Sequence, residues 1–229
     1  RIVDIDLLTY AGNLENLDGL PEGRHTFIRA DITDPEAMRR AVPQDADALV
    51  NFAAETHVDR SILGPLAFVR TNVLGTQVLM DVAREKKIRR FVQISTDEVY
   101  GSVPTGESKE TDELRPRNPY SASKAGADRL AYSYWATYHV PVVITRASNN
   151  YGPNQFPEKV IPLFITNALE DRGLPLYGDG LNVRDWLHVE DHCRGVDLLI
   201  EKGGPGEVYN IGGGNEIPNV ELTRRILEL

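Results

Sequence analysis

Short apolar runs alternate with helix-period segments through the first two-thirds of this 229-residue chain, and that alternation limits the possible folds more than any other feature. Strand-like runs fall at 1–6, 26–30, 47–53, 90–95 and 141–146, each short and bounded by turn residues. Helical segments fall at 34–41, 64–87 and 118–139. From Pro65 onward, Phe68, Val69, Val73, Leu74, Val78, Leu79 and Val82 recur close to helical spacing. A βαβα order of this kind predicts an α/β fold, a Rossmann-like doubly wound parallel sheet with helices on both faces. Ligands bind such sheets beyond the C-terminal strand ends. Asp6, Asp31, Ala53-Ala54-Glu55 and Ser95-Thr96-Asp97-Glu98 all fall there.

From about residue 148 the pattern changes. A turn-rich segment, Asn149-Asn150-Tyr151-Gly152-Pro153, precedes a helix over about 158–170. Strand-like pieces follow near 174–177, 183–188 and 208–211, with a helix at about 190–201. This reads as a smaller α+β lobe, 148–229, with some segments returning to the sheet of 1–147. The chain opens in an apolar strand without a methionine and closes inside an amphipathic helix, 220–229, so it reads as truncated at both ends.

The chemistry-bearing residues cluster in two places. Ser95-Thr96-Asp97-Glu98-Val99-Tyr100-Gly101 ends the apolar run Phe91-Val92-Gln93-Ile94, bringing a hydroxyl and two carboxylates to a strand end. Tyr120 and Lys124 are four apart, so on a helix they share one face. An ammonium beside a phenol favours the phenolate, which predicts a Tyr120 pKa lowered by Lys124. A phenol tuned in this way accepts a proton as hydride leaves an alcohol carbon. Asp97 and Glu98 supply an acid and a base for loss of water. Extended backbone would send these neighbours to opposite faces, so the strand must end by Asp97. Either motif alone is common: a lone Tyr-x-x-x-Lys occurs by chance, and carboxylates at a helix start are ordinary. Their combination points to alcohol oxidation coupled to elimination.

Asp6 ends what reads as the second strand of a dinucleotide-binding fold. There a carboxylate accepts the ribose hydroxyls and repels a 2′-phosphate, favouring NAD over NADP. The glycine-rich phosphate loop expected ~20 residues earlier does not occur in the chain.

The formal charge of −9, from 25 basic and 34 acidic residues, argues against an electrostatic nucleic-acid binder. Cys193 is the single cysteine, which excludes an intrachain disulfide or a cysteine cluster, and it reads as a small buried hydrophobe. No run approaches a membrane span and no signal peptide is visible, so a cytoplasmic enzyme without membrane contact is expected. His188 and His192 are four apart, but no third ligand accompanies them and no metal is expected.

The segments Asp6 to Asn13, Phe52 to Ser61, Ser95 to Gly101 and Tyr120 to Lys124 together resemble the dTDP-glucose 4,6-dehydratases of the extended short-chain dehydrogenase/reductase family. So do Ser148 to Pro153, Pro157 to Pro162, Pro175 to Gly180 and Val183 to His192, and the resemblance covers essentially the whole chain. Thr96-Asp97-Glu98 is its most specific element, since related epimerases and decarboxylases share the Tyr/Lys pair but usually lack the adjacent carboxylates.

The resemblance implies NAD as cofactor, dTDP-glucose as substrate and a three-step cycle using Thr96, Asp97, Glu98, Tyr120 and Lys124. Tyr120, with Lys124, takes the 4-hydroxyl proton while Thr96 hydrogen-bonds that oxygen. Glu98 removes the C5 proton, and Asp97 protonates the leaving 6-hydroxyl. Asp6, Leu7, Leu8, Thr9, Asp31, Ile32, Phe52, Ala53, Ala54, Glu55, Thr56 and Thr71 line NAD together with Tyr120 and Lys124, and Asn150 lies near the nicotinamide. The nucleotide sugar meets His57, Thr96, Asn149, Lys159, Val160, Pro175, Tyr177, Arg184 and Asn210. Lys159 and Arg184 suit a diphosphate, which needs charge-assisted donors, while packing explains Val160 and Tyr177 equally well. Residues 1–147 are thus the expected NAD-binding domain and 148–229 part of the sugar-nucleotide lobe. Helices 64–87 and 118–139, with Leu130 and Tyr134, resemble the pair that forms a homodimer interface. A UDP-glucose 4,6-dehydratase, a C4 epimerase and an inactive binding or assembly module are the alternatives.

Overall fold

A computed structural model describes residues 1–103 and 105–229. Strands are numbered β1–β9 and helices α1–α8 along the chain. Two compact units result: Arg1–Arg146 with Val196–Asn210, and Ala147–Gly195 with Ile211–Leu229.

In the first unit, β1 (Ile2–Asp6) pairs in parallel with β2 (His25–Arg29). A separate four-stranded sheet has the order β3-β4-β5-β8, comprising β3 (Ala48–Asn51), β4 (Arg90–Thr96), β5 (Val142–Ala147) and β8 (Val208–Ile211). β3 and β4 are parallel. The α/β architecture follows from the alternation read in the sequence. β4 and β5 are buried along almost their whole length, which is why Phe91-Val92 and Val142-Val143-Ile144 are consecutive apolar residues rather than alternating ones. Met38 of α1 (Pro35–Ala41), Val82 of α4 (Thr76–Glu85), Phe91, Val142 and Ile144 form the centre of one core. Ile5, Ile28 and Leu49 pack against that same core, so both sheet pieces share it. Local signals start the helices: Asp34 caps α1 by accepting from Glu36 and Ala37 N–H, with Pro35 at the first position.

In the second unit, β6 (Asn149–Tyr151) runs parallel to β7 (Val183–His188). β7 in turn pairs antiparallel with β9 (Glu216–Pro218). Trp186, Ile217 and Leu222 form its core, and Leu222 comes from α8 (Asn219–Leu227). α6 (Val160–Leu169) packs on α8. Asp185 ties the loop before β9 by accepting from Gly213 and Asn215 N–H at 2.6 and 2.7 Å.

Four expectations are corrected. The segment 64–87 is not one regular helix: α3 (Pro65–Phe68) is followed by a π-helical stretch, Val69–Gly75, before α4. A further helix, α2 (Val58–Leu63), precedes it. Residues 174–177 form no strand; Pro175 has no N–H to give a ladder. Cys193 is exposed, not buried. On α7 (Val189–Lys202) the buried positions are His192, Val196 and Leu199, a stripe that leaves Cys193 beside it. Among the described residues no helix is long and apolar enough to cross a membrane.

Candidate active site

The strand β4 ends at Thr96, and Asp97–Tyr100 turns as a 3-10 helix. Thr96 makes this break: its hydroxyl oxygen accepts from Glu98 N–H and donates to the Asp97 carboxylate, both at 3.2 Å. Asp97 and Glu98 are therefore half-buried in one turn instead of projecting to opposite faces, as the sequence required. Gly101 closes the turn at φ 85°, and a Cβ there would lie 2.3 Å from the Arg115 carbonyl oxygen, so only glycine fits.

Helix α5 (Pro119–Tyr138) carries Tyr120 and Lys124. It begins with a capping box in which Asn118 and Ser121 exchange side-chain-to-backbone hydrogen bonds, followed by Pro119 at the first position. The Asn118 amide also donates to the Glu98 carboxylate at 3.3 Å, so the cap of this helix touches the acidic turn. Tyr120 and Lys124 are buried, and the Phe68 ring meets the Tyr120 ring edge-on at 6.4 Å. Lys124 Nζ donates to the Ile94 carbonyl at 2.6 Å, tying α5 to β4 one turn below the tyrosine.

The electrostatics differ from the sequence expectation. Burial, and after it the Glu98 carboxylate, raise the Tyr120 phenol well above its ordinary value, against a smaller lowering from hydrogen bonding with Thr96. Lys124 does not offset this, because burial lowers its own amine to about 8, although the Asp128 carboxylate pulls the other way. A desolvated ammonium already donating to a backbone carbonyl has little left with which to favour a phenolate.

At the strand ends, Asp6 is exposed and accepts from Leu8 N–H at 2.6 Å. That turn holds Leu8 at φ 54° and leads into Thr9; Arg29 Nε donates to the Leu7 carbonyl. Asp31 accepts from Thr33 N–H, and Ile32 is buried beneath Gly75, where a Cβ would come within 2.3 Å. Beyond β3, the Phe52 ring is exposed, Ala53, Ala54 and Glu55 are half-buried and Thr56 is exposed. Thr71 lies in the π-helical stretch.

Asn72, a residue that motif reading passed over, joins these parts. Its side chain accepts from Glu55 N–H at 2.8 Å, and its amide donates to the Glu55 carbonyl at 3.0 Å and to the Ser123 hydroxyl at 2.8 Å. Ser123 in turn donates to the Tyr120 carbonyl. A buried asparagine thus locks the loop after β3 to the helix of Tyr120. An asparagine amid the apolar positions of 68–82 was the available signal.

The donor and acceptor set suits a dinucleotide. A strand-end carboxylate matches a ribose diol, the exposed Phe52 ring offers an apolar face, and Lys124 is a buried donor. In the second unit, the Asn150 side-chain oxygen is buried with no hydrogen-bond partner among the described residues.

The remaining expected substrate residues divide between the units. In the first, His57 sits at the start of α2, and Asn210 is held by Tyr100, Ser108 and Glu110. In the second, Asn149 opens β6, Lys159 precedes α6, and Val160 packs on the Trp186 cluster. Pro175, Tyr177 and Arg184 are exposed.

A parallel α/β fold with a buried Tyr120/Lys124 pair one turn apart, set beneath a strand-end threonine, defines a short-chain dehydrogenase/reductase. The chain belongs to the GDP-mannose 4,6 dehydratase family, whose model matches residues 1–228. It is 56% identical over 227 residues to a dTDP-glucose 4,6-dehydratase of Streptomyces antibioticus, covering 99% of this chain and 67% of that one. A low-salt glycan biosynthesis protein of Haloferax volcanii, Agl12, is 55% identical, with 99% and 73% covered. The crystal structure of a dTDP-glucose 4,6-dehydratase from Streptomyces venezuelae, determined with NAD bound, superposes with a TM-score of 0.96 at 51% identity. That superposition covers 99% of this chain and 70% of that one.

Proposed function

We propose that the protein is an NAD-dependent hydro-lyase that converts dTDP-glucose to dTDP-4-keto-6-deoxyglucose. NAD supplies the hydride acceptor for C4 and, once reduced, the hydride donor for C6. Tyr120 is the base for the 4-hydroxyl proton; the positive charge of a bound nicotinamide would favour prior release of the phenol's own proton to solvent, against the burial and the Glu98 carboxylate that raise its pKa. Thr96 hydrogen-bonds the same oxygen. The resulting 4-ketone acidifies the C5 hydrogen, which Glu98 removes, while Asp97 in its protonated form donates to the departing 6-hydroxyl; when hydride returns to C6, Glu98 gives the proton back to C5. Lys124 orients the nicotinamide ribose from its anchor on Ile94.

One observation supports this reading above the others: Thr96, which hydrogen-bonds Tyr120, also donates to the Asp97 carboxylate and accepts from Glu98 N–H, so both carboxylates stand in the turn beside the tyrosine. An acid and a base that close to the oxidising tyrosine serve elimination, for which a C4 epimerase has no use.

We assign NAD binding to the first unit, through Asp6 to Thr9, Asp31, Ile32, Phe52 to Thr56, Thr71, Tyr120 and Lys124. Nucleotide-sugar contacts are assigned to His57, Thr96 and Asn210 in that unit and to Asn149, Lys159, Val160, Pro175, Tyr177 and Arg184 in the second, where Asn150 is kept for the nicotinamide. A cytoplasmic homodimer fits the composition, and the expected segments 64–87 and 118–139 keep exposed apolar residues for it, though not Leu130 and Tyr134. Tyr134 is buried in the first unit's core, with its hydroxyl donating to Asp81, and Leu130 packs against the same core. Ile62, Leu63, Leu66, Val69 and Leu74 on α2, α3 and the π-helical stretch, with Tyr132 and Tyr138 on α5, are exposed apolar residues and are assigned to the interface with a second copy in place of Leu130 and Tyr134. Sedimentation of the full-length protein as a monomer at micromolar concentration would reject the dimer.

Incubating the full-length protein with NAD and dTDP-, UDP- or GDP-glucose tests the function. The expected result is a 4-keto product, formed fastest from dTDP-glucose. Faster turnover of UDP-glucose makes it a UDP-glucose dehydratase, a 4-epimer makes it an epimerase, and no turnover of any of the three makes it a binding module.

A further inference from the structure

Arg146 of β5 is one of the largest fully buried side chains in the molecule, and its carboxylate partner, Asp128 of α5, is equally buried. Nε and Nη2 engage the two Asp128 oxygens at 2.9 and 3.2 Å, a bidentate pair. Nη1 donates to the Tyr100 hydroxyl at 2.8 Å and to the Glu110 carbonyl at 3.1 Å. The Tyr100 hydroxyl donates a hydrogen bond to Asn210 Oδ1 at 2.7 Å, and its ring lies beneath the guanidinium. They are placed at the two ends of the site: Tyr100 is the last residue of the turn that carries Asp97 and Glu98, and Asp128 follows Lys124 by one turn of α5, where its carboxylate acts on the amine through charge.

A buried ion pair is a weak source of stability, since desolvation offsets most of its attraction and apolar residues of similar size often serve as well. Its use here is geometric. The fork of a guanidinium fixes direction as well as distance. The helix bearing Tyr120 and Lys124 is fixed to β4 by the Lys124–Ile94 bond and capped by Asn118; the far end of the acidic turn is held by the Arg115 N–H bond to the Val99 carbonyl and by the Tyr100 hydroxyl between Arg146 and Asn210.

We propose that Tyr100, Arg146 and Asp128 are positioning residues that set the Asp97–Glu98 turn against helix α5, and that they act on water elimination rather than on hydride transfer. The proposal rests on the dehydratase reading above and adds to it three residues outside the catalytic set named there.

Tyr100→Phe removes one hydroxyl and keeps the ring. In the full-length protein with NAD and dTDP-glucose, the variant is expected to reduce bound NAD within about twofold of the wild-type rate. Loss of water is expected to fall at least tenfold, toward the ~100-fold that misplacement by ~1 Å costs, so that the 4-ketone still bearing its 6-hydroxyl accumulates. Arg146→Lys keeps the buried charge but cannot hold both Asp128 and Tyr100, and should show the same split; it also replaces Tyr100→Phe if that variant does not fold. Equal loss of both half-reactions in a folded variant, or no change in either, overturns the proposal. A wild-type protein that neither reduces NAD nor dehydrates the sugar overturns the dehydratase reading instead.

Discussion

Lys124 Nζ donates to the carbonyl oxygen of Ile94 at 2.6 Å, joining the helix of the proposed base to the strand that ends in Thr96. That bond is made by an amine whose pKa burial lowers to about 8. The unfolded chain holds this proton to about 10.5, so between those values it binds more protons than the native state. The wild-type protein should therefore gain stability as pH rises from about 8 to about 10.5, and carry the full cost of the buried charge below that window. Lys124→Met removes the dependence. The difference between the two proteins in denaturant unfolding should change by about 3 kcal/mol across the window, and a constant difference would show that Lys124 does not titrate there.

Asn72 tests the link between the loop after β3 and α5. Asn72→Leu leaves the Glu55 N–H and carbonyl without their partner, along with one bond to Ser123. A loss of about 2–4 kcal/mol in chemical denaturation is expected, from buried polar groups left unsatisfied at ~1–3 kcal/mol each. Because Glu55 lies among the proposed NAD contacts, NAD binding by calorimetry should weaken as well. A variant as stable as wild type would mean that the loop finds other partners.

Tyr120→Phe deletes the proposed proton acceptor and keeps the ring against Phe68. The fold and NAD binding should survive, with stability changed by ~1 kcal/mol for the bond to Thr96. Reduction of bound NAD by substrate should fall about 10²–10⁴-fold, and dehydration with it because oxidation comes first. Stopped-flow absorbance reads this directly; an unchanged rate would remove Tyr120 from the chemistry.

Much of this site is legible in the sequence for a local reason. A strand must end where Thr96 caps a turn, and a capping box with proline starts α5 at Asn118, so sequence neighbours settle where Asp97, Glu98, Tyr120 and Lys124 stand. What depends on distant partners is not legible. The π-helical stretch follows from Asn72 reaching Glu55 and from Gly75 meeting Ile32, contacts between segments far apart in the chain. The high Tyr120 phenol comes from burial and from Glu98, while spacing to Lys124 suggested the reverse. Tyr134 likewise looked like an outer face of α5 until packing against the Asp81 side placed it in the core.

Glu98→Gln tests most directly whether oxidation and elimination are separate tasks of neighbouring residues. Glutamine keeps the shape and the contact with Asn118 but cannot take the C5 proton. Single-turnover measurement with dTDP-glucose should show bound NAD reduced at close to the wild-type rate, while formation of the 6-deoxy product falls about 10²–10⁴-fold. Equal loss of both steps, or product formed at the wild-type rate, would contradict the account.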